Sequence, residues 1–302
     1  MTVLAERFCL HKAPRVQGPT RKALLSGLRC AEAVICTLTE QMDAEAIEAG
    51  VHLKVIANYA VGYNNIDLDA AKRRGIIVTN TPDILTETTA DLTWALILGV
   101  ARRLPEGHRL VQQGRWKGWE PGQLLGGDVH GKTLGIIGMG RIGQAVAQRA
   151  SGFHMPVLYC NRHEVKALNP QTWRRLSFDE ILTEADFLTL HVPLTRETHH
   201  LIGATELRRM RPTAFLINTS RGPVIDEAAL VNALEAGRPA GAGLDVYEHE
   251  PRIHPGLRTL KQVVTLPHLG SATLNTRIRM GLMCAENVTA VLEGRPAPNR
   301  VA

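Results

Sequence analysis

The sequence predicts an α/β fold of two domains, with the second domain inserted into the first. Short apolar runs alternate with helical patterns along the 302 residues, which is typical of parallel sheets covered by helices. The alternation stops in a loop rich in glycine and tryptophan (117–132) and starts afresh at residue 133. A last helical pattern (275–294) is expected to return to the first domain, which makes the second domain an insertion.

Three strands are expected in the first domain, over 33–38, 53–60 and 75–81. The apolar-periodic segment 86–116 opens with a Thr/Glu capping pattern and predicts one long helix that runs into a second. After the restart, the strands are expected over 133–138, 156–160, 187–192, 215–220, 240–246 and 263–268.

Composition excludes several classes of protein. Hydrophobic residues make up 44% of the chain, enough for one large or two moderate cores, and no run is long enough to span a membrane. The formal charge of +6 is spread along the chain without a basic tail, so we expect no nucleic-acid partner. The N-terminus does not resemble a secretory signal. Five scattered cysteines without C-x-x-C spacing predict neither disulfides nor a metal site, and favour a cytoplasmic protein.

A glycine-rich loop, "GMGRIG", joins a predicted strand to a predicted helix. Gly138 suits a tight turn, Gly140 allows close approach of the backbone to a pyrophosphate, and Gly143 allows the helix to pack on its strand. N–H groups at the start of the helix then bind the phosphates. The context predicts a dinucleotide site of the Rossmann type, although the motif alone is also compatible with a structural turn.

The next strand ends in "CNRHE", where an NAD site would carry an acidic residue for the adenosine ribose. Here the positions are Asn161, Arg162 and His163, and arginine forms charge-assisted hydrogen bonds with phosphate. The loop therefore predicts a preference for NADP(H), with NAD(H) as a possible second cofactor. An ordinary solvated turn is the structural alternative, and Glu164 keeps one negative charge nearby.

Three residues that could bind or protonate a substrate follow strand-like runs, and ligands of open α/β sheets bind at the ends of strands. They are Arg221, Glu250 and His268. Reduction of a 2-oxo acid needs a cation for the substrate, a proton donor and a hydride, and Arg221 and His268 supply the first two. Glu250 would favour the imidazolium of His268. Each residue also has a structural interpretation, as a surface ion-pair partner, a solvated acid or part of a turn.

Other histidines are expected to have no catalytic role. His191 is predicted to be a packed strand residue, whereas His199 and His200 are predicted to be loop residues near the cofactor.

The motifs "NYAVGYNNID", "GKTLGIIGMGRIG", "INTSRGPVIDE", "GAGLDVYEHEP" and "LPHLGSAT" closely resemble those of the D-isomer-specific 2-hydroxyacid dehydrogenases. "GRWKGWEP" and "NTPDILTETTADL" are most similar to the glyoxylate/hydroxypyruvate reductases of that family. The resemblance implies an NAD(P)-dependent enzyme that reduces a small 2-oxo acid. It implies two Rossmann-like doubly wound domains, with a cofactor domain (96–272) inserted into a smaller substrate domain (1–95 and 273–302). The family's usual first strand is not evident in "MTVLAERFCLHKAP", so a shortened N-terminus is expected.

The resemblance also assigns residues. It places the family's catalytic arginine, acid and proton-transfer histidine on Arg221, Glu250 and His268, and implies that the substrate is bound by Val61, Gly62, Arg221 and His268. With the glycine loop and the turn after it, the expected cofactor contacts are Gly138, Gly140, Arg141, Ile142, Gly143, Asn161, Arg162, His163, Val192, Pro193, Thr198, Thr219, Ser220, Asp245 and Gly270. A homodimer formed through the cofactor domain is also implied, in which Trp119 reaches a neighbouring subunit's pocket.

Several alternatives stay open from the sequence. The chain could act on another D-2-hydroxy acid. The phosphite-oxidising relatives carry a lysine where this chain has Val61, which disfavours phosphite. A non-catalytic NAD(P)-sensing regulator on the same fold is a different class of function, and such sensors can keep the three catalytic residues.

Overall fold

The structure of the protein, a computed structural model, describes residues 2–12, 20–162, 165 and 173–302. The chain forms two compact units, Met1–Leu85 with Ala272–Ala302, and Thr86–Ser271. The second unit is inserted into the first, as the sequence predicts. The boundary expected at residues 95 and 96 falls inside the helix Thr86–Ala101. The roles assigned to the two units and the shortened N-terminus stay predictions.

The described residues form the following helices and strands. The helices are α1 (Thr2–Ala5), α2 (Arg21–Leu28), α3 (Ala44–Ala49), α4 (Leu68–Arg73), α5 (Thr86–Ala101), α6 (Leu104–Gln112), α7 (Arg141–Ala150), α8 (Phe178–Glu184), α9 (Ala204–Arg209), α10 (Glu227–Glu235), α11 (Pro255–Thr259) and α12 (Leu274–Leu292). The strands are β1 (Ala33–Cys36), β2 (Val55–Asn58), β3 (Ile77–Thr79), β4 (Leu134–Ile137), β5 (Val157–Cys160), β6 (Trp173–Arg175), β7 (Phe187–Leu190), β8 (Phe215–Asn218), β9 (Gly241–Leu244) and β10 (Val263–Thr265).

The first unit is built on a parallel sheet in the order β1-β2-β3. All four residues of the central strand β2 are buried, which is why its sequence is a continuous run without alternation. The helix α12 packs on β1 and β2 and buries Cys284 and Val288. The helix pattern expected to return to the first domain is therefore confirmed.

The second unit is built on a seven-stranded parallel sheet in the order β10-β9-β8-β7-β4-β5-β6. The strand order reverses between β4 and β7, and ligands of such sheets bind outside the carboxyl ends of the strands at that point. All six strands predicted for this unit are present, each shorter than the predicted run. The α/β fold with Rossmann-type parallel sheets is thus confirmed.

The edge strand β6 was not predicted. It has three residues, of which Arg174 and Arg175 are exposed, and its pairing with β5 defines it as a strand. Such a short polar segment carries no periodic signal, because only the neighbouring strand makes it extended.

The long apolar pattern after residue 86 forms two helices, as predicted. The first, α5, is buried along most of its length and packs against α7, β8 and β9. Trp94 stacks on Phe153 with ring centroids 4.6 Å apart and donates from Nε1 to the carbonyl oxygen of Val146. The chain then breaks at Arg103, whose φ of 52° is left-handed, before α6 begins. None of the described helices combines the length and apolar character that a membrane span requires.

Candidate active site

The glycine loop lies at the point where the strand order reverses. Gly138 follows β4 with a φ of 96°, and a Cβ there would lie 2.6 Å from the carbonyl oxygen of His191. A Cβ on Gly143 would lie 2.3 Å from the carbonyl oxygen of Gly138. Both positions therefore require glycine, the first for a left-handed turn beside β7 and the second for packing of α7 on that turn.

Gly140 has a different environment from the other two glycines. It precedes α7, and a Cβ built on it would meet no described atom within 4 Å. The N-terminus of α7, which begins with Arg141 and Ile142, is therefore approachable from the open side of Gly140. A ten-residue helix with open backbone at its first turn suits a phosphate, so this loop fits a dinucleotide.

The turn expected to select the cofactor lies at the end of β5, next to β4. Asn161 is half-buried and Arg162 is exposed, whereas His163 lies outside the described residues. Arg175, on the edge strand β6, donates from Nη2 to the carbonyl oxygens of Asn161 (3.0 Å) and Arg162 (3.3 Å). Arg175 therefore places a second guanidinium at this turn. Sequence reasoning missed it because β6 was not recognised.

The segment after β7 carries further predicted cofactor residues. Thr198 donates from Oγ1 to the carbonyl oxygen of Pro193 (2.6 Å) and accepts from the N–H of Thr195 (2.7 Å). These bonds close the turn that begins at Val192, which lies against Gly138. On α5, Thr93 shares a 3.0 Å hydrogen bond with the buried Thr219.

Arg221 follows β8 and is positioned by a buried asparagine. Asn218 accepts at Oδ1 from the N–H (3.0 Å) and hydroxyl (2.8 Å) of Ser220, and donates from Nδ2 to the carbonyl oxygen of Arg221 (2.9 Å). Burial lowers the pKa of Arg221 from its ordinary value, while the charge of Glu250 opposes that effect. The guanidinium stays protonated at neutral pH, so this strand end carries a fixed cation.

Gly222, the residue after Arg221, allows another segment of the chain to pack directly against the Arg221 turn. A Cβ on Gly222 would lie 1.8 Å from the carbonyl carbon of Tyr247. Only glycine allows this approach, which brings the Arg221 turn against the segment that carries Glu250. The "SRG" motif supplied a signal for this contact, but the sequence does not reveal what the glycine packs against.

Glu250 and His268 form a hydrogen-bonded pair. Nδ1 of His268 lies 2.9 Å from Oε2 of Glu250, and Oε1 of Glu250 accepts from the N–H of Tyr247 (3.1 Å). Burial acts to raise the pKa of Glu250, but the hydrogen bond and charge of His268 outweigh it, and the pKa lies below its ordinary value. An ionised carboxylate only accepts, so Nδ1 carries a proton and Nε2 takes no part in the pair with Glu250.

The turn that presents His268 is held by Asp245. The carboxylate accepts from the N–H groups of Leu269 (2.6 Å) and Gly270 (2.8 Å), and the carbonyl oxygen of Asp245 accepts from the N–H of His268 (2.9 Å). His268 has a left-handed φ of 56°, which these three bonds maintain. Burial raises the pKa of Asp245. Asp245 therefore positions His268, a role that sequence reasoning did not assign.

In the first unit, two buried asparagines hold the Val61–Gly62 loop. Asn80 donates from Nδ2 to the carbonyl oxygen of Val61 (2.8 Å), and Asn58 donates from Nδ2 to that of Gly62 (2.8 Å). No described residue accepts from the N–H group of Val61 or of Gly62. Two neighbouring backbone N–H groups without an acceptor among the described residues suit an anionic oxygen.

His191 directly follows β7, outside the strand that the sequence predicts for it, and its imidazole is packed. The residue as a whole is half-buried, but Nε2 is sealed from solvent and has no hydrogen-bond partner among the described residues. Burial lowers the pKa of His191 to about 3. The folded protein therefore keeps this imidazole neutral over the range in which an exposed histidine becomes protonated.

We expect His191 to make the protein less stable in acid. Below about pH 6.5 the unfolded chain binds a proton at this histidine that the folded protein excludes until about pH 3. The free energy of unfolding should fall by about 1 kcal/mol per pH unit over that window because of this residue. Urea unfolding between about pH 7 and pH 4.5 should show a shallower decline for His191→Gln. The exposed control His108→Gln should keep the wild-type slope, and equal slopes for His191→Gln and wild type would contradict the assignment.

Comparisons with known proteins agree with this geometry. The sequence profile of the D-isomer specific 2-hydroxyacid dehydrogenase NAD binding domain matches residues 94–270. With the glycine loop at the reversal of the sheet, this match defines an oxidoreductase that uses a nicotinamide cofactor.

Relatives match over nearly the whole chain. A glyoxylate reductase of Korarchaeum cryptofilum is 49% identical over 100% of this chain and 92% of its own. The crystal structure of the TT0316 protein of Thermus thermophilus has a TM-score of 0.91 at 46% identity, covering 99% of this chain and 95% of its own. An NADPH-dependent glyoxylate/hydroxypyruvate reductase of Sinorhizobium meliloti, solved with NADP and malonate, has a TM-score of 0.86 at 33% identity, covering 100% and 94%. The chain belongs to the D-isomer specific 2-hydroxyacid dehydrogenase family.

Proposed function

We propose that the protein reduces a small 2-oxo acid, glyoxylate or hydroxypyruvate, to the corresponding 2-hydroxy acid with NADPH as the preferred reductant. The observation that carries this proposal is the 2.9 Å pair of His268 and Glu250 on the segment that packs against the Arg221 turn. The names of the relatives, glyoxylate reductase and glyoxylate/hydroxypyruvate reductase, support the choice of substrate.

The reduced nicotinamide, when bound, supplies the hydride for C2 of the substrate. Gly138, Gly140 and the N-terminus of α7 are the residues proposed to hold the pyrophosphate. The turns that carry Thr198 and Asp245 are proposed to contact the rest of the cofactor.

His268 is proposed to protonate the substrate oxygen. Since Nδ1 is bonded to Glu250, Nε2 is the atom that donates the proton as negative charge develops on the oxygen. Glu250 stabilises the imidazolium before the transfer and keeps the ring oriented after it. In the reverse direction the same Nε2 accepts the proton of the hydroxyl group.

Arg221 is proposed to bind and polarise the oxygen atoms of the substrate, because its fixed charge matches the charge that develops there. The open N–H groups of Val61 and Gly62 are proposed to bind the substrate carboxylate. Asn58 and Asn80 then act as positioning residues for that loop.

A substrate panel tests the function. We expect oxidation of NADPH that depends on glyoxylate or hydroxypyruvate, with lower kcat/KM for larger 2-oxo acids and no turnover of phosphite. The panel is run with NADPH and with NADH on the same preparation. Tight binding of NADPH without turnover of any 2-oxo acid would overturn the enzyme assignment in favour of a cofactor sensor.

The preference for NADPH is proposed from the turn after β5. Arg162, helped by the neutral Asn161 and by His163, is proposed to bind the 2′-phosphate of the cofactor. Arg175 bonds to the carbonyl oxygens of Asn161 and Arg162, so it supports the turn from the neighbouring strand. Its positive charge adds to the attraction for a phosphate.

Replacement of the two residues Asn161 and Arg162 in this turn should shift the cofactor preference from NADPH toward NADH. For the double variant Asn161→Asp, Arg162→Ser we expect the ratio of kcat/KM for NADPH over NADH to fall by at least about tenfold, since charged hydrogen bonds to the phosphate are lost and a carboxylate repels it. Arg175→Ser should lower the same ratio. Arg174→Ser is the matched control, because Arg174 is the adjacent residue of β6 and pairs with Glu184. A wild type that already prefers NADH would contradict the proposal.

We also propose a homodimer and a cytoplasmic location. Large apolar side chains are exposed on α6 and the loop after it, including Trp116 (54%) and Trp119 (80%). A covered interface would explain them, and sedimentation equilibrium measures the mass that decides this. All five cysteines are unpaired, which suits a reducing compartment.

A further inference from the structure

We propose that His199, His200 and Glu248 form a binding site for a divalent transition-metal cation, with Zn²⁺ as the best match. The sequence predicted no metal site from the spacing of its cysteines. The two histidines and the glutamate are almost fifty residues apart in the chain and gave no local signal. The metal-site proposal does not rest on the reaction proposed above. The site lies in the second unit, on segments that flank residues of the candidate active site.

The three side chains already converge. Their ligand atoms all lie within 4.8 Å of one another. Nε2 of His200 lies 2.6 Å from Oε1 of Glu248, and the ring of His199 stacks on that of His200 with centroids 4.0 Å apart. Zinc bonds of about 2.0–2.1 Å in a tetrahedral site place neighbouring ligand atoms about 3.3 Å apart. Small rotations of the side chains therefore suffice to form three metal bonds.

Backbone contacts fix two of the three ligands. His200 has a left-handed φ of 51°, and its N–H donates to the carbonyl oxygen of Pro223 (2.8 Å). The N–H of Glu248 donates to Oε1 of Glu227 (2.6 Å), and Oε2 of Glu248 accepts from the N–H of Glu227 (3.3 Å). Oε1 of Glu248 is thereby left to face the histidines. A ligand held in this way loses little conformational freedom when the metal binds.

The ligand set selects the kind of metal. Two imidazoles and one carboxylate suit Zn²⁺, Ni²⁺ or Cu²⁺, whereas Mg²⁺ and Ca²⁺ prefer oxygen ligands throughout. Three protein ligands leave a fourth position for water. The side chains of His200 and Glu248 are 36% and 16% exposed, so a cation can reach the site from solvent.

The metal ligands lie next to residues of the candidate active site. His199 and His200 directly follow Thr198, and Glu248 lies two residues before Glu250. A bound metal would therefore join the predicted cofactor turn to the segment of the predicted acid. A simple ion pair between His200 and Glu248 is the structural alternative, and it needs no contribution from His199.

Isothermal titration of the untagged, EDTA-treated full chain with Zn²⁺ tests the site. We expect one ion per chain, with affinity that falls on acidification because imidazole must be unprotonated to bind metal. Loss of an outer-shell partner commonly costs about 10–100-fold in affinity, so loss of a direct ligand should cost at least that. His199→Ala, His200→Asn and Glu248→Gln should each show this loss. Asparagine is used at position 200 because it tolerates the left-handed backbone.

His130→Ala is the matched control, because His130 contacts another histidine, His154, with ring centroids 5.1 Å apart. This variant should bind Zn²⁺ as the wild type does. Thermal unfolding gives a second measurement: Zn²⁺ should raise the Tm of the wild type and of His130→Ala, and not that of His199→Ala. His199 is exposed, so its replacement should leave the fold intact. Absence of stoichiometric binding, or unchanged affinity in His199→Ala, would overturn the proposal.

Discussion

Replacement of His268 with alanine or asparagine is expected to lower kcat by about 10²–10⁴-fold, the usual contribution of a general acid. The reason is that His268, paired with Glu250 at 2.9 Å, is the proposed proton donor. Asparagine is the better test of the two, because residue 268 has a left-handed φ of 56° that asparagine tolerates. Steady-state kinetics with NADPH and glyoxylate measure the effect.

Measurement of NADPH binding distinguishes a variant that has lost the proton donor from one that has lost its folded structure. His268→Asn should bind NADPH with nearly the wild-type Kd, measured by fluorescence titration. His249→Ala is the matched control, because it removes an exposed histidine next to Glu250 and should leave kcat unchanged. An unchanged kcat in His268→Asn would remove this residue from the mechanism.

Replacement of Arg221 with methionine should lower kcat/KM by about 10²–10³-fold, comparable to the loss of one donor that stabilises an oxyanion. Arg221→Lys keeps the charge but loses the planar fork, so it should recover only part of the activity. The same kinetic assay, with KM and kcat determined separately, shows whether the arginine acts in binding or in the transition state.

The Tm and the NADPH affinity of both Arg221 variants should stay near those of the wild type. Arg208→Met is a suitable control, since it removes an exposed arginine of the same unit from α9. Full activity of Arg221→Met would contradict the proposed role, and a large fall in Tm would assign the arginine a structural role.

Much of the fold could be predicted because it is encoded locally. The strands β4 and β7 are buried throughout, and β5 and β8 are buried except for one half-buried end residue each, so each reads as a short apolar run. The left-handed turn at Gly138 needs a glycine because of its own backbone conformation, whatever packs around it. The edge strand β6 escaped prediction because its exposed arginines carry no hydrophobic pattern and only pairing with β5 defines it.

The candidate site could be predicted only as a set of residues. Arg221, Glu250 and His268 follow apolar runs, and the resemblance to the family pointed to the same three. The pairing of Glu250 with His268 was expected from their chemistry and from the resemblance, and the structure has it at 2.9 Å. Nothing local indicates that Asp245 holds the turn of His268, because these hydrogen bonds join segments that follow different strands. Arg175, Asn58 and Asn80 were missed because their roles depend on backbone carbonyl groups of other segments.

By itself, the sequence determined the two-domain α/β plan, the glycine loop and the chemical groups that end the strands. These follow from hydrophobic periodicity and from backbone conformations that only glycine allows. The tertiary structure alone decided the strand order, the hydrogen bonds by which Asp245 holds the His268 turn, and the approach of His199 and His200 to Glu248. The physical reason is that packing of the sheet brings loops together across large separations in the chain, where local propensity carries no information.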